Sequence, residues 1–321
     1  MARARILVIK LGALGDFVQA LGPMAAIRRH HADAHITLMT TRPYVDFARA
    51  GGLFDDVYCD ARPKIWQLGG LLALRRWLRA GRFAMVYDLQ TASRTSLYHR
   101  LMGRPPWSGI APGCSHPHAN PARDAMHTVD RQREQLAMAG IADVPPGDVS
   151  WARMAVKGIA GSAAAHFAVS SPFALLVPGG APHRPEKRWP ADRFAELARR
   201  LGARAITPVV LGTENETAAV AVITRAAPSA VSLAGRTDFI DIAALAREAC
   251  GAVGNDTGPM HLIATAGAPA VVLFSEASDP ALCAPRGAGV RIVRRPTLDR
   301  LDVDAVAAAL DAITPPPARA P

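Results

Sequence analysis

Apolar residues in this chain fall into short unbroken runs, separated by stretches in which they recur every three or four positions. RILVIK (5–10), HITLM (35–39) and AMVYDL (84–89) have the length and continuity of buried strands. FVQALGPMAAIRRHH (17–31), an amphipathic stretch near 66–80 and HTVDRQREQLAMAG (127–140), closed by a glycine, have helical spacing. The pattern loosens over MAVKGIAGSAAAHFAVSSP (154–172), which is rich in small residues and predicts a domain junction. It then restarts. FALLVP (173–178), AITPVVLG (205–212), AVSL (230–233), GAVGN (251–255), APAVVLF (268–274) and GVRIV (289–293) read as strands. Helices are expected over 191–203, 214–227, 238–249 and 302–313, with a further one opening at Asp256. Unbroken apolar strands alternating with helices indicate parallel sheets covered on both faces. The expected architecture is α/β, with two doubly wound Rossmann-like domains spanning 1–160 and 161–321. Ligands of such sheets bind beyond the carboxyl ends of the strands.

Charge and cysteine usage narrow the partners. The net charge is +10 and is uneven: residues 1–155 hold 20 Lys and Arg against 12 Asp and Glu, and residues 156–321 hold 17 against 15. A basic front half suits an anionic partner such as nucleic acid, an acidic membrane surface or an acidic glycan. Cys59, Cys114, Cys250 and Cys283 lie far apart with no CxxC pair, which argues against a zinc site or a disulfide framework and suits a reducing compartment. Lys10 and Asp16 interrupt what would otherwise resemble a signal peptide, and no stretch is long and apolar enough to span a membrane. The final TPPPARAP has the composition of a frayed tail.

Four loops carry candidate chemistry. KLGALGD (10–16) follows the first strand but is neither GxGxxG nor a P-loop, which weakens nicotinamide and NTPase alternatives. Its Gly12 and Gly15 allow a tight turn that delivers Asp16, either as a helix cap or as a general base. In VPGGAPHRPEKRWPADRFAELA (177–198), His183, Arg184, Lys187 and Arg188 follow a strand end, and Lys187 suits a diphosphate as a point charge. VVLGTENE (209–216) places Glu214 and Glu216 in a first helical turn, where a carboxylate is favourable in any case and can also accept ribose hydroxyls. GNDTGPMHLIATAG (254–267) sets Asp256, Thr257 and Gly258 at a helix start with His261 just beyond. Asp256 or Thr257 could cap that helix, or its free N–H groups could hold a phosphate. DVD (302–304) is read as a helix start rather than a metal motif, and CSHPHANP (114–121) as a loop.

Taken in order and spacing, ILVIKLGALGDFVQALGPMAAIRR, EKRWPADRFAELA, LGTENE and GNDTGPMHLIATAGAPAVVLF resemble glycosyltransferase family 9, the bacterial ADP-heptose:lipopolysaccharide heptosyltransferases. The resemblance implies a GT-B fold, with the two domains facing across a cleft, and an inverting transfer that needs no metal and no other cofactor. It implies that Asp16 is the base and that Lys187 with the Thr257–Gly258 helix end holds the departing diphosphate. Donor contacts would come from Gly15, Gly179, Gly180, Lys187, Glu216, Asp256, Thr257, Gly258 and His261. The chain departs from the family at PGGAPHR (178–184), where some relatives carry phosphate-binding hydroxyls. Backbone N–H groups, His183 or Arg184 would have to substitute. Arg62 and Lys64 are the first candidates for an anionic lipopolysaccharide core acceptor. Arg75, Arg76, Arg79 and Arg82 flank a Leu71–Leu74–Leu78 stripe in the manner of a membrane-surface patch, or of an ordinary core helix. The expected protein is a cytoplasmic monomer peripheral to the inner membrane, with an ADP-sugar donor and no nucleic-acid partner. The alternatives are a non-catalytic binder of anionic glycan or membrane, or a transferase using another nucleotide sugar.

Overall fold

The structure is a computed structural model, and the described residues are 3–152, 162–181 and 183–314. The chain divides into two compact units, Met1–Asp148 and Val149–Pro321. The first eight residues of the junction expected over 154–172 lie outside the described residues, as do Pro182 and the terminal tail.

The first unit is built on a six-stranded sheet: β1 (Arg5–Ile9), β2 (His35–Thr40), β3 (Asp56–Cys59), β4 (Met85–Asp88), β5 (Trp107–Gly109) and β6 (His116–Pro117). Their order is β3-β2-β1-β4-β5-β6, with every pairing parallel. The register sets Ile6 between Ile36 and Met85. Leu7, Ile9, Met39, Val86 and Trp107 pack with Leu74, Leu78 and Tyr98 into one core. The Leu71–Leu74–Leu78 stripe is therefore largely a core face: Leu74 and Leu78 are buried and Leu71 is half-buried.

Two expectations change here. The segment 17–31 is not one helix but two, Leu14–Gln19 and Leu21–His30. Pro23 has no N–H to continue the first helix, but proline is tolerated in a first turn, so the chain restarts at Ala20. CSHPHANP is not wholly loop, because its His116–Pro117 forms β6, with Ser108 opposite His116. The strands β3 and β5 and the helix Ser93–Met102 had no clear signal: β3 is partly exposed and β5 is three residues long and ends in glycine.

The second unit repeats the plan. Its strands are β7 (Phe173–Val177), β8 (Thr207–Val210), β9 (Val231–Ser232), β10 (Gly251–Asn255), β11 (Ala270–Phe274) and β12 (Val290–Arg294). They are ordered β12-β11-β10-β7-β8-β9, again all parallel. Continuous burial of β7, β10 and β11 matches their unbroken apolar sequences. A Cβ added at Gly254 would lie 2.5 Å from Met260 Sδ and 2.7 Å from Val177 Cβ, so only glycine lets the helix Gly258–Thr265 pack this close to the sheet. In both units the strand order turns back between the first and fourth strands, which creates a ligand-binding crevice at their carboxyl ends. Those crevices follow β1 and β4 in the first unit, and β7 and β10 in the second.

Candidate active site

In the second unit, three motifs distant in sequence meet at the carboxyl ends of the neighbouring strands β10, β7 and β8. After β7 the chain passes through a 3-10 turn, Pro185–Lys187, and enters the helix Ala191–Ala203. Lys187 Nζ donates to Asp256 Oδ2 at 2.7 Å, and their side chains are 18% and 8% exposed. Asp256 follows β10, and Thr257 is the N-cap position of the helix Gly258–Thr265, with Pro259 in its first turn. No side chain caps this helix. Of the two alternatives at this corner, capping is not made by Asp256 or Thr257, and the Asp256 carboxylate serves Lys187. His261 is buried within the same helix.

Asn255, fully buried, holds the loops together. Its Nδ2 donates to the carbonyls of Pro178 (2.8 Å) and Gly179 (3.1 Å), and its Oδ1 accepts from Trp189 N (2.9 Å). Glu216 closes the 3-10 turn Glu214–Glu216. Its Oε2 accepts from Thr213 N (2.8 Å) and Thr213 Oγ1 (2.7 Å), a reciprocal capping box. A Cβ at Gly179 would come within 3.0 Å of the Glu216 side chain, so the glycine backbone lies against that carboxylate. The other cations of the loop are engaged elsewhere. Arg184 donates to Glu186 (2.6 Å) and to Ala277 O (2.6 Å), Arg188 donates to Gly180 O (2.6 Å), and His183 is exposed.

The equivalent crevice of the first unit holds Asp16 in the first turn of the helix Leu14–Gln19, one residue after Gly15; the N-cap position is Ala13. Asp16 is half-buried. Lys10, at the end of β1, is 3% exposed, and its Nζ donates to Leu89 O at 2.9 Å. Burial pushes the Lys10 ammonium down to about 8, against the opposing pull of Asp16 and Asp88. Asp88, the last residue of β4, is fully buried and pushed up to about 6 by desolvation, although it accepts from the N–H groups of Gln90 (3.1 Å) and Thr91 (2.9 Å). Leu11 N donates to Gln90 Oε1 at 2.8 Å, which ties the loop after β1 to the loop after β4.

Two cavities open at this crevice. One, of about 60 Å³, is lined by Lys10, Asp16, Thr91, Arg123, Arg131 and Gln135 among others. The second, of about 470 Å³, is lined by Asp16, Tyr44, Arg62, Gln90 and Arg94 among others. Asp16 belongs to both, and each presents at least two cations beside it. Arg123 is held by Thr91 Oγ1 (2.6 Å), and Gln135 Nε2 donates to Asp88 O (3.0 Å). Arg62 is exposed, with its N–H donated to Asp60 Oδ1 (2.8 Å). Lys64 is exposed and lies outside both cavities, with its Nζ 5.1 Å from the centre of the Trp66 ring. Among the described residues no group of three or more His, Cys, Asp or Glu is arranged to hold a metal, and all four cysteines are free.

Within each unit the structure brings together most of the residues expected from the sequence. It adds Lys10, Asp88, Arg123, Arg131, Gln135 and Asn255, which sequence reasoning did not place at a site. Two of these carried a signal: Lys10 and Asp88 are charges at the ends of otherwise apolar strands, where an ionised group costs most unless it has work to do.

A family model described as glycosyltransferase family 9 (heptosyltransferase) matches residues 71–304. The lipooligosaccharide heptosyltransferase 2 of Haemophilus influenzae is 30% identical over 104 residues, a match spanning 31% of this chain and 30% of that protein. The fold is similar to that of a family 9 glycosyl transferase from Veillonella parvula, with a TM-score of 0.80 at 20% identity, covering 97% of each chain. It is also similar to that of the E. coli ADP-heptose lps heptosyltransferase II, with a TM-score of 0.78 at 21% identity, covering 96% of this chain and 98% of that one.

Proposed function

The chain belongs to glycosyltransferase family 9 (heptosyltransferase), and from that premise we propose that it transfers a heptose from ADP-heptose to the inner core of lipopolysaccharide with inversion at the anomeric carbon. The observation that carries the reading is the Lys187–Asp256 pair at the mouth of the helix Gly258–Thr265, at the turning point of the second sheet. A cation beside an uncapped helix N-terminus suits a nucleoside diphosphate, since the N–H groups and the helix dipole both favour negative charge. In this reading Glu216, which lies against the Gly179 backbone, takes the ribose hydroxyls, and Asp256 and His261 take the donor sugar and phosphate. The similarity to the E. coli ADP-heptose lps heptosyltransferase II supports the choice of ADP-heptose.

In the proposed reaction Asp16 takes the proton of an acceptor hydroxyl as its oxygen forms a bond to the anomeric carbon. The bond from that carbon to the diphosphate oxygen breaks, and ADP leaves with the electron pair. Negative charge grows on the diphosphate, where Lys187 and the N–H of Gly258 at the helix start stabilise it. On the acceptor side, Lys10, Arg62, Arg94, Arg123 and Arg131 offer a cationic lining to carboxylate or phosphate groups. The chemistry asked of the chain is proton acceptance and charge stabilisation, both supplied by its own side chains and backbone.

The test is to mix ADP-heptose with deacylated inner-core acceptor, following ADP release and the anomeric configuration of the product by NMR. Release of ADP with formation of the inverted glycoside, undiminished by EDTA, is expected. No release with ADP-heptose or with other nucleotide sugars would favour a binder of anionic glycan instead.

A further inference from the structure

The basic helix of the first unit carries an apolar surface that the sequence stripe did not reveal. Lys64 N donates to Gln67 Oε1 (2.7 Å) and Gln67 N to Lys64 O (2.9 Å). These two bonds close a tight turn immediately before the helix Leu68–Ala80 and leave the residues between them, Ile65 and Trp66, on its outside. Ile65 is 72% exposed, Trp66 69%, Leu68 68% and Leu72 58%. They are four of the seven large apolar side chains exposed among the described residues, within eight positions of one another. Leu68, Leu72, Arg75, Arg76 and Arg79 fall on one side of the helix, turned away from the buried Leu74 and Leu78. The first half of that outer stripe is thus apolar and the second half cationic. Arg79 is occupied with Leu101 O (3.0 Å), whereas Lys64, Arg75 and Arg76 are exposed around the apolar side chains.

We propose that Ile65, Trp66, Leu68 and Leu72 insert into the interface of an anionic phospholipid bilayer, with Arg75 and Arg76 on the lipid headgroups. The occupant follows from charge. A tryptophan and aliphatic side chains ringed by cations, with no acidic residue between Arg62 and Arg82, match the headgroup boundary of a negatively charged membrane. A second copy of the chain would bring the same cations against themselves. The turn is also continuous with the acceptor cavity: Arg94, which lines that cavity, donates to Pro63 O at 3.2 Å, and Arg62 lines it directly. The surface would hold the mouth of the cavity at the membrane, where a lipid-carried acceptor presents its sugars. That role rests on the proposed function; the binding itself does not.

Two measurements separate them. Co-sedimentation with vesicles of phosphatidylglycerol and phosphatidylethanolamine, compared with phosphatidylcholine alone, reads binding without catalysis. The wild-type chain is expected to bind the anionic vesicles at least tenfold more tightly, with a blue shift of tryptophan emission, because each cation near such a surface contributes about fivefold. The double variant Trp66→Ser/Leu72→Ser is expected to lose at least tenfold in binding and in transfer to vesicle-embedded acceptor. Its transfer to deacylated acceptor and its thermal midpoint should stay unchanged, since both side chains are exposed. Absence of wild-type binding, equal binding to both vesicle types, or full binding by the variant would each overturn the inference. So would a concentration-dependent dimer that the double variant abolishes, which would assign the face to self-association. If neither acceptor is glycosylated while the vesicle results hold, the proposed function fails and the membrane surface stands.

Discussion

At the turning point of the first sheet a lysine is almost fully buried and donates to a backbone carbonyl, with a half-buried carboxylate close by. At the turning point of the second sheet a lysine is partly exposed and its carboxylate partner is in direct contact at 2.7 Å. The strand order around both points is the same, so topology supplies two crevices and the loop residues decide their chemistry. In the first, Asp16 faces open space with cations lining the walls, which suits a base waiting for an anionic acceptor. In the second, the lysine is already paired with its own aspartate. Under the proposed function a diphosphate would compete with Asp256 for Lys187, whose ammonium has further donors, and a released carboxylate would be free to accept donor hydroxyls.

The largest expected effect comes from the first crevice. Asp16→Ala should lower kcat by about 10³-fold, within the range of a lost general base, while leaving ADP affinity unchanged. Steady-state turnover with parallel calorimetry checks both halves. In the second crevice, Lys187→Ala should lower kcat by about 10²–10³-fold and also weaken ADP. A double-mutant cycle with Asp256→Ala would show whether the pair acts as a unit.

Asn255→Ala probes the support of the second crevice rather than its chemistry. It removes three hydrogen bonds and strands buried groups of Pro178, Gly179 and Trp189. A loss of about 2–4 kcal/mol in a denaturant titration is expected, at about 1–3 kcal/mol for each buried group left unsatisfied and partial relaxation.

The first crevice has a milder probe in pH. Lys10 has a folded value of about 8 against an ordinary 10.5, so its charge is present below about pH 8 and is lost above it. Acceptor KM should rise as pH passes 8, and Lys10→Met should raise KM about tenfold at pH 7, one charge-assisted contact, and flatten that dependence. The linkage for stability runs the other way. Between about pH 8 and 10.5 the unfolded chain binds the proton more than the folded chain does, so the contribution of Lys10 to folding stability improves with rising pH. Flattening of both slopes in Lys10→Met would identify Lys10 as the group that titrates.

Much of this arrangement was legible in the sequence. The strands of the second unit are unbroken apolar runs, and their expected positions agree with β7 to β12 to within a few residues. Asp16, Lys187, Glu216 and Asp256 were marked by their place after such runs. What could not be read was pairing. Nothing local says that Lys187 meets Asp256, 69 residues away, or that Arg123 and Gln135 reach the loop after β4. In the sequence Lys10 is only an interruption of an apolar run, because its partners Asp88 and Leu89 come from another strand and the loop after it. Residue type alone left capping and an anion site both open at 256–257; the helix is uncapped and the Asp256 carboxylate pairs with Lys187. At the helix Leu68–Ala80, the periodic leucines pointed to the core, whereas the exposed apolar residues begin in the turn before it and carry no period.

The division of labour between the two crevices is tested most directly by calorimetric titration of ADP into the wild-type chain, Asp16→Ala and Lys187→Ala. The expected result is the same dissociation constant for wild type and Asp16→Ala, and one at least tenfold weaker for Lys187→Ala. Weakening by Asp16→Ala equal to that of Lys187→Ala, or undiminished affinity in Lys187→Ala, would contradict it.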